Sequence, residues 1–337
     1  MSPREYDESD VRIRPSRTTR RRSKDRPSHE GSSTAFVTTV DRGRTTCVVE
    51  EGNGELRVVT AMKARELGPK SVVVGDLVQL VGDISGDEGS LSRIVSVNER
   101  RNSLKRTVDD AAKVERTIVS NIDQLLIVVA AANPEPRRGL IDRFLVSAFI
   151  EKITPIIVVT KVDVAPVPEF MESYRALGVS IITTSSKESS RATEVAGIKE
   201  ILEDKTSVLV GHSGVGKSTL INDLVPDAER ITGDVNDVTG RGRHTSSSAI
   251  ALPLSNGGWI IDTPGIRAFG LSHLEPAKIV EAFPDFSSII ENCMPNCSHN
   301  EESCALNEWV KGDAEREIRL QSLRSLLEVK DSAIDAE

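Results

Sequence analysis

Long apolar runs are missing from this 337-residue sequence. Leu125 to Ala132 is among the longest and is too short for a membrane span, so no membrane partner is expected. The arginine-rich start has no apolar stretch after it, which fits neither a secretory nor a twin-arginine signal. Cysteine is scarce, with four in all, and three of them crowd into Cys293 to Cys304. That distribution argues against a disulfide framework and for metal binding in a reducing compartment. A cytoplasmic, soluble protein is expected. Aromatics make up only 3% of the chain, and Phe36 is the single one between Thr34 and Val97, so stacking on bases would be poor there.

The formal charge is -8, yet Arg12 to Arg26 holds eight basic residues against the single Asp25. The acidity therefore lies in the remainder. Residues 1–32 are polar and almost free of aliphatics, so they cannot bury enough apolar surface to offset the entropy of ordering. They read as a disordered basic arm able to neutralise phosphates without sequence preference, or as a solvated tail.

The pattern next changes to short strands separated by glycine-bearing turns: Thr34 to Val40, Thr45 to Val49, Leu56 to Thr60, Asp76 to Gly82 and Leu91 to Val97. Five short strands over residues 33–99 suit an OB-like barrel, a form that often binds nucleic acid. With so few aromatics, contact with RNA would run through backbone and shape. Arg100 to Arg106 reads as a basic connector.

Beyond it the chain alternates buried strands and helices over residues 112–274. Strands are expected at Ile122 to Ala131, Thr154 to Thr160, Val179 to Thr184 and Ser207 to Val210. Helices are expected at Leu140 to Phe149, Phe170 to Leu177, Thr193 to Leu202 and from Thr219 to Leu224. Ser247 to Leu254 and Trp259 to Asp262 form a hairpin across an Asn-Gly turn. The fold class is a doubly wound α/β domain with a mostly parallel sheet. Residues 275–337 turn helical, and Ile318, Leu320, Leu323, Leu326 and Leu327 form a stripe suited more to packing on its own domain than to a partner.

The chemistry centres on Gly211-His212-Ser213-Gly214-Val215-Gly216-Lys217-Ser218, followed by Thr219. This G-x-x-x-x-G-K-S loop lies between a strand and a helix, the context the motif requires. Its glycines allow a nest of N–H groups to face phosphate oxygens, and the following helix adds its positive end. Lys217 would reach the β- and γ-phosphates, and the Ser218 hydroxyl would ligate Mg²⁺.

Three further motifs stand at expected strand ends. Thr160-Lys161-Val162-Asp163 could read a base, because a carboxylate at Asp163 matches the paired donors of guanine and adenine offers no such pair. Alone, such a triplet is more often a solvated loop. Ser185-Ser186-Lys187 could offer a backbone N–H to the base oxygen. Asp262-Thr263-Pro264-Gly265 could hold Mg²⁺ through Asp262 and meet the γ-phosphate with the Gly265 N–H. Between phosphate loop and Asp262 runs a polar stretch, Asp227 to Ser246, in which Thr245 is the natural second hydroxyl for Mg²⁺. Ile266 stands where many GTPases carry a water-orienting Gln. The nearest motif-borne substitute is His244, which could instead stabilise its loop or contact RNA.

These motifs resemble a P-loop GTPase with its motif order rotated, since the base-reading motif precedes the phosphate loop: a circular permutation. Cys293-x-x-x-Cys297-x-His299-x-x-x-x-Cys304 then suits a closed tetrahedral zinc site, with unliganded loop cysteines the alternative. The whole arrangement, from about Thr34 to Val329, resembles the ribosome small-subunit-dependent GTPase A family. The resemblance implies a factor in late maturation of the small ribosomal subunit. It also implies GTP and GDP as ligands, with Mg²⁺, and one zinc held by Cys293, Cys297, His299 and Cys304. The chain departs from the family in slightly shorter cysteine gaps and in Thr160, where Asn is more usual. A monomer is expected. The competing readings are a nucleotide-gated RNA-binding module without turnover and an ATP-using enzyme, which Asp163 disfavours.

Overall fold

The computed structural model describes residues 31–334 apart from 42, 53, 69–70, 110–113, 186, 227–248, 264–275 and 282. Residues 1–30 of the basic arm, the loop carrying His244 and Thr245, and Ser186, Gly265 and Ile266 thus lie outside the described residues.

Alternation of apolar and polar residues builds the first five strands: β1 Ser33–Val40, β2 Thr45–Glu50, β3 Leu56–Lys63, β4 Leu77–Gly82 and β5 Ser92–Val97. Their inward residues, among them Val37, Cys47, Val59, Val78, Leu80 and Ile94, form one core of their own. Strand β1 pairs with both β2 and β4, β2 with β3, β3 with β5 and β5 with β4, which closes the five into an OB-like barrel.

The basic connector is divided in function. Arg100 clasps buried Asp76 with Nε and Nη2, at 2.6 and 2.8 Å. The remaining demand of that carboxylate is met by the Ser120 hydroxyl at 2.6 Å and the Val73 N–H at 2.8 Å. A fully hydrogen-bonded carboxylate in the interior avoids the heavy penalty of an unpaired charge. From Ser103 the connector is a strand, β6 Ser103–Asp109, antiparallel to β7 Val114–Ser120. Among the described side chains of this hairpin, Leu104 and Val119 are its buried apolar residues, and both join the core of the following domain. Leu104 and Val119 stand in sequence among charged and hydroxylated residues, which leaves too weak an alternation to mark a strand.

The α/β part is a continuous sheet in the order β10-β9-β8-β11-β13-β12. Its strands are β8 Gln124–Ala130, β9 Thr154–Thr160, β10 Ser180–Thr183, β11 Thr206–Val210, β12 Ile250–Pro253 and β13 Trp259–Asp262. All pairings except β12 with β13 are parallel. Every residue of β8 is buried, as its unbroken apolar run requires. Its alternate residues feed two cores: Leu125, Ile127 and Val129 one, Leu126, Val128 and Ala130 the other. Helix α1 Arg138–Ile150 covers the first face through Phe144 and Leu145. Helices α3 Glu188–Leu202 and α4 Lys217–Leu224 cover the second through Ile198, Leu202, Leu220 and Leu224. Helix α2 Glu172–Arg175 is a single turn after a 3₁₀ turn, Glu169–Met171, and so is shorter than its apolar spacing suggests. Strand β1 pairs with β12 at Thr39 and Ile250, so barrel and α/β strands form one hydrogen-bonded sheet.

The C-terminal elements are α5 Pro276–Glu281, α6 Pro284–Ile290, α7 Ala305–Trp309 and α8 Ala314–Ile334. Leu320, Leu323 and Leu327 of α8 pack into the same core as Phe144 and Leu145 of α1, while Ile318 is exposed. Arg319 lies 5.6 Å over both the Phe283 and the Phe286 ring and donates to the Ala176 carbonyl. Among the described residues no helix is long and apolar enough to cross a membrane.

Candidate functional site

The carboxyl ends of β9, β10, β11 and β13 face the same way, because parallel pairing leaves no alternative. That edge is where open α/β sheets bind ligands. Strand β11 ends at Val210 and the glycine-rich loop begins. Gly211 has φ +145°, and a Cβ there would lie 2.2 Å from the Val128 carbonyl oxygen, so only glycine fits so close to β8. Gly216 caps α4 in the left-handed region at φ +97°. Val215 is buried between them and anchors the loop, while Ser218 and Thr219 sit exposed on the first turn of α4.

Lys217 folds back over the loop, and its Nζ donates to the carbonyls of Gly211 and His212, each at 2.7 Å. Burial lowers the pKa of its ammonium, and the Asp262 carboxylate opposes that shift. Asp262 ends β13 and is in register with Leu209 of β11, one residue short of the loop's strand end. Its pKa is raised by burial and held back by Lys217 and by the N–H of Thr263. The Thr263 hydroxyl donates to the Leu209 carbonyl at 2.8 Å, fixing the exit of β13 on β11. A cation and a carboxylate thus share a half-buried site at the loop, as phosphate and metal chemistry demands. The imidazole Nδ1 of His212 lies 2.9 Å from the carbonyl oxygen of its neighbour Ser213.

Strand β9 delivers the second half of the site. The Thr160 hydroxyl is buried and lies 2.6 Å from the Val215 carbonyl and 3.2 Å from that of Val129. Lys161, in the left-handed region at φ 59°, donates to the Gly214 carbonyl at 2.9 Å and to that of Asn133. Two consecutive residues of β9's exit therefore hold the phosphate loop. Asp163 is half-buried in the turn that follows. Beside them opens a cavity of about 130 Å³, walled by Thr160, Lys161, Ser185, Arg191, Gly216 and Thr219 among others.

Sequence reasoning missed two contacts made by residues of this wall. The backbone N–H of Ser185, expected to face a base, donates to Glu194 of α3 at 2.7 Å. Arg191, three residues before Glu194, donates from Nε and Nη2 to Asp223 of α4, at 3.0 and 2.7 Å. No local pattern marks either partner, since the pairs are 9 and 32 residues apart.

The cysteines and histidine of the C-terminal region come together as their spacing suggests. One ligand atom from each of Cys293, Cys297, His299 and Cys304 lies within 4.8 Å of the others. Cys293 Sγ, Cys304 Sγ and His299 Nδ1 form a triangle with 3.8 Å sides. Bonds of about 2.3 Å in a tetrahedron give sulfur–sulfur edges of about 3.8 Å, so the donors fit a tetrahedral cation. Cys297 Sγ donates to Glu301 at 3.0 Å. Arg324 of α8 donates to the His299 carbonyl at 2.8 Å and to Asn307 at 2.7 Å, bracing the loop from behind. The cluster can hold a metal ion.

A doubly wound sheet, a glycine-rich phosphate loop at one strand end and the Thr160-Lys161-Val162-Asp163 turn earlier in the chain together define a circularly permuted P-loop GTPase. Known proteins agree. The model of the family described as RsgA GTPase matches residues 97–272. The small ribosomal subunit biogenesis GTPase RsgA of Chlorobaculum tepidum is 35% identical over 293 residues, covering 83% of this chain and 93% of its own. That of Paraburkholderia phytofirmans is 39% identical over 250 residues, covering 71% and 76%. Among solved structures, YjeQ from Thermotoga maritima superposes with a TM-score of 0.62 at 25% identity, covering 88% of this chain and 99% of its own. YloQ, described as a circularly permuted GTPase, gives 0.65 at 23%, covering 93% and 99%, a likeness of fold. The chain belongs to the RsgA GTPase family.

Proposed function

We propose that this protein hydrolyses GTP to GDP and phosphate while bound to the small ribosomal subunit, late in that subunit's maturation, with turnover stimulated by the subunit. The observation that carries the reading is the convergence of Lys217, Asp262 and the Thr160–Asp163 turn on one sheet edge. Phosphates and base of a single nucleotide can then be held together. Curated relatives covering most of this chain are named for small-subunit biogenesis, which supports the choice of partner.

In this reading Gly211 to Thr219 hold the phosphates, helped by the Gly265 N–H. Asp163 reads guanine, with Lys161 and the Ser185–Ser186 loop beside it. Thr160 acts on the nucleotide through the phosphate loop it tethers. Ser218, Thr245 and Asp262 hold Mg²⁺, which when bound would neutralise charge developing on the phosphates. His244 orients the attacking water. Cys293, Cys297, His299 and Cys304 hold one structural zinc, a closed site with no open catalytic position. The division of labour is a basic arm at 1–32, an RNA-binding barrel at 33–99, the GTPase at 112–274 and the metal-bearing helices at 275–337. The protein works as a cytoplasmic monomer.

Phosphate release under multiple turnover, with GTP or ATP and with or without isolated small subunits, tests the reading. GTP-specific release accelerated by subunits is expected. Release that ignores subunits, or favours ATP, would overturn it.

A further inference from the structure

We propose that Glu194 is a positioning residue for base recognition: it holds the Ser185 loop in the orientation in which that loop meets guanine. The inference rests on the GTP-binding reading above. Strand β10 ends at Thr183, and α3 begins at Glu188. The ladder hydrogen bonds of this segment stop at Thr184, whose N–H reaches Val159 at 2.8 Å and whose carbonyl receives the Val162 N–H at 3.3 Å. Past that point the loop has no sheet partner to fix where its amides point.

Glu194 supplies the missing constraint. Its Oε2 accepts the Ser185 N–H at 2.7 Å, and its two oxygens lie 3.3 and 3.2 Å from the Ser185 hydroxyl. That hydroxyl also lies 2.6 Å from Ser190 Oγ. Ser190 and Glu194 are four residues apart, so one face of α3 presents both to the loop. Hydrogen bonds to an ionised carboxylate are shorter and about twice as strong as neutral ones, which suits a clamp on a short loop. Because both oxygens are engaged with Ser185, Glu194 acts through the loop rather than on the base.

The same helix also grips the phosphate side. Arg191 holds Asp223 of the phosphate-loop helix, and Val195 lines the cavity between the two attachments. Helix α3 thereby spaces the base-reading loop from the phosphate loop. Misplacing a donor by a fraction of its hydrogen-bond length weakens a contact that discriminates between bases, while contacts to the phosphates, which every nucleotide shares, are spared.

Titration of the full-length protein with fluorescent GDP and fluorescent ADP separates these effects. Losing a charge-assisted hydrogen bond should weaken GDP binding by Glu194→Ala about tenfold, with ADP binding changed less than about twofold. The ratio of GDP to ADP affinity then falls. Glu194→Gln keeps an amide oxygen for the Ser185 N–H and should retain most of the ratio. Glu194→Asp, too short to reach, should lose it while keeping the charge. An unchanged ratio in both Glu194→Ala and Glu194→Asp overturns the proposal, as does equal loss of the two nucleotides, which marks a general structural role. If Glu194→Ala does not fold, the Asp and Gln pair decides alone. Failure of the GTP reading itself is distinguishable, because the unaltered protein would then show no preference for GDP.

Discussion

The Thr160 hydroxyl lies 2.6 Å from the Val215 carbonyl oxygen, joining the end of β9 to the middle of the phosphate loop across 55 residues of sequence. A hydroxyl has one proton, and the shorter distance assigns it to Val215 rather than to Val129 at 3.2 Å. Thr160 thus serves as a tether between the two halves of the site. Thr160→Val preserves shape but leaves a buried carbonyl without its donor, a loss of about 1–3 kcal/mol. It should lower the melting temperature and weaken GDP binding, and Thr160→Ser should restore both. Thermal unfolding with a GDP titration checks this; an unaltered Thr160→Val would refute the tether.

Base choice is predicted to rest on Asp163. Asp163→Asn exchanges an acceptor pair for an amide, which mismatches guanine and suits the ring pattern of xanthine. A site built for a hydrogen-bonding partner discriminates strongly, so GTP affinity should fall by about a hundredfold or more. Competition between GTP and XTP for the variant measures the switch. Undiminished GTP affinity would remove Asp163 from the site.

The Cys293, His299 and Cys304 triangle predicts one bound zinc per chain, measurable by metal analysis of purified protein. In the metal-free state burial, and then the hydrogen bond to Glu301, push the Cys297 thiol up to about 12. A bound dication reverses that preference by favouring thiolates. Cys304 is 3% exposed and packs in the core that also holds Leu306, Leu323 and Phe144. Chelation should therefore lower the first unfolding transition seen by calorimetry, beginning with the loop and α7. A melt indifferent to chelator, with no zinc found, would count against the site.

Asp142 of α1 gives a pH-dependent prediction. It is buried beneath α8, accepts a 2.7 Å hydrogen bond from Tyr174, and lies 3.5 Å from the Ser325 hydroxyl. Burial raises its pKa, and the bonds from Tyr174 and Ser325 and the charge of Arg138 reduce the rise without cancelling it. A carboxyl whose folded pKa lies above its unfolded value is penalised when ionised, so it favours the folded state more as pH falls through the folded pKa. Asp142→Asn should gain stability relative to the parent at neutral pH, and the gain should shrink towards the ordinary carboxylate range. Urea unfolding at neutral pH and again near the carboxylate range reads the difference. An advantage independent of pH would show that Asp142 does not titrate as proposed.

Hydrolysis is predicted to depend on His244, because Ile266 offers no group to orient water. Intrinsic turnover should be slow, and His244→Ala should keep GDP affinity while losing acceleration by the small subunit. General acid–base groups contribute about 10²–10⁴-fold, which sets the scale of the loss. Full stimulated turnover in that variant would return His244 to a structural or RNA-contacting role.

Much of this molecule is legible in its residues alone. Thr154–Thr160 reads as a buried strand because its apolar run has little polar interruption, and β9 has those bounds. The glycine-rich loop announces itself because only glycine tolerates the backbone at Gly211 and Gly216. The β6–β7 hairpin is not legible in the same way, since its buried apolar residues Leu104 and Val119 stand amid basic residues and threonines.

The residues alone thus carry the motifs and their order along the chain: the Thr160–Asp163 turn first, then the glycine-rich loop, Asp262 and the Cys-Cys-His-Cys set. These are local signals, carried by residue type, short spacing and periodicity. Only the tertiary structure decided which distant groups satisfy one another. It gave the Ser185 N–H to Glu194, joined Arg191 to Asp223, set β1 beside β12 and folded α8 into the core around α1. Such pairings follow from the need to satisfy every buried donor and fill every buried volume at once, and no single stretch of sequence contains that condition.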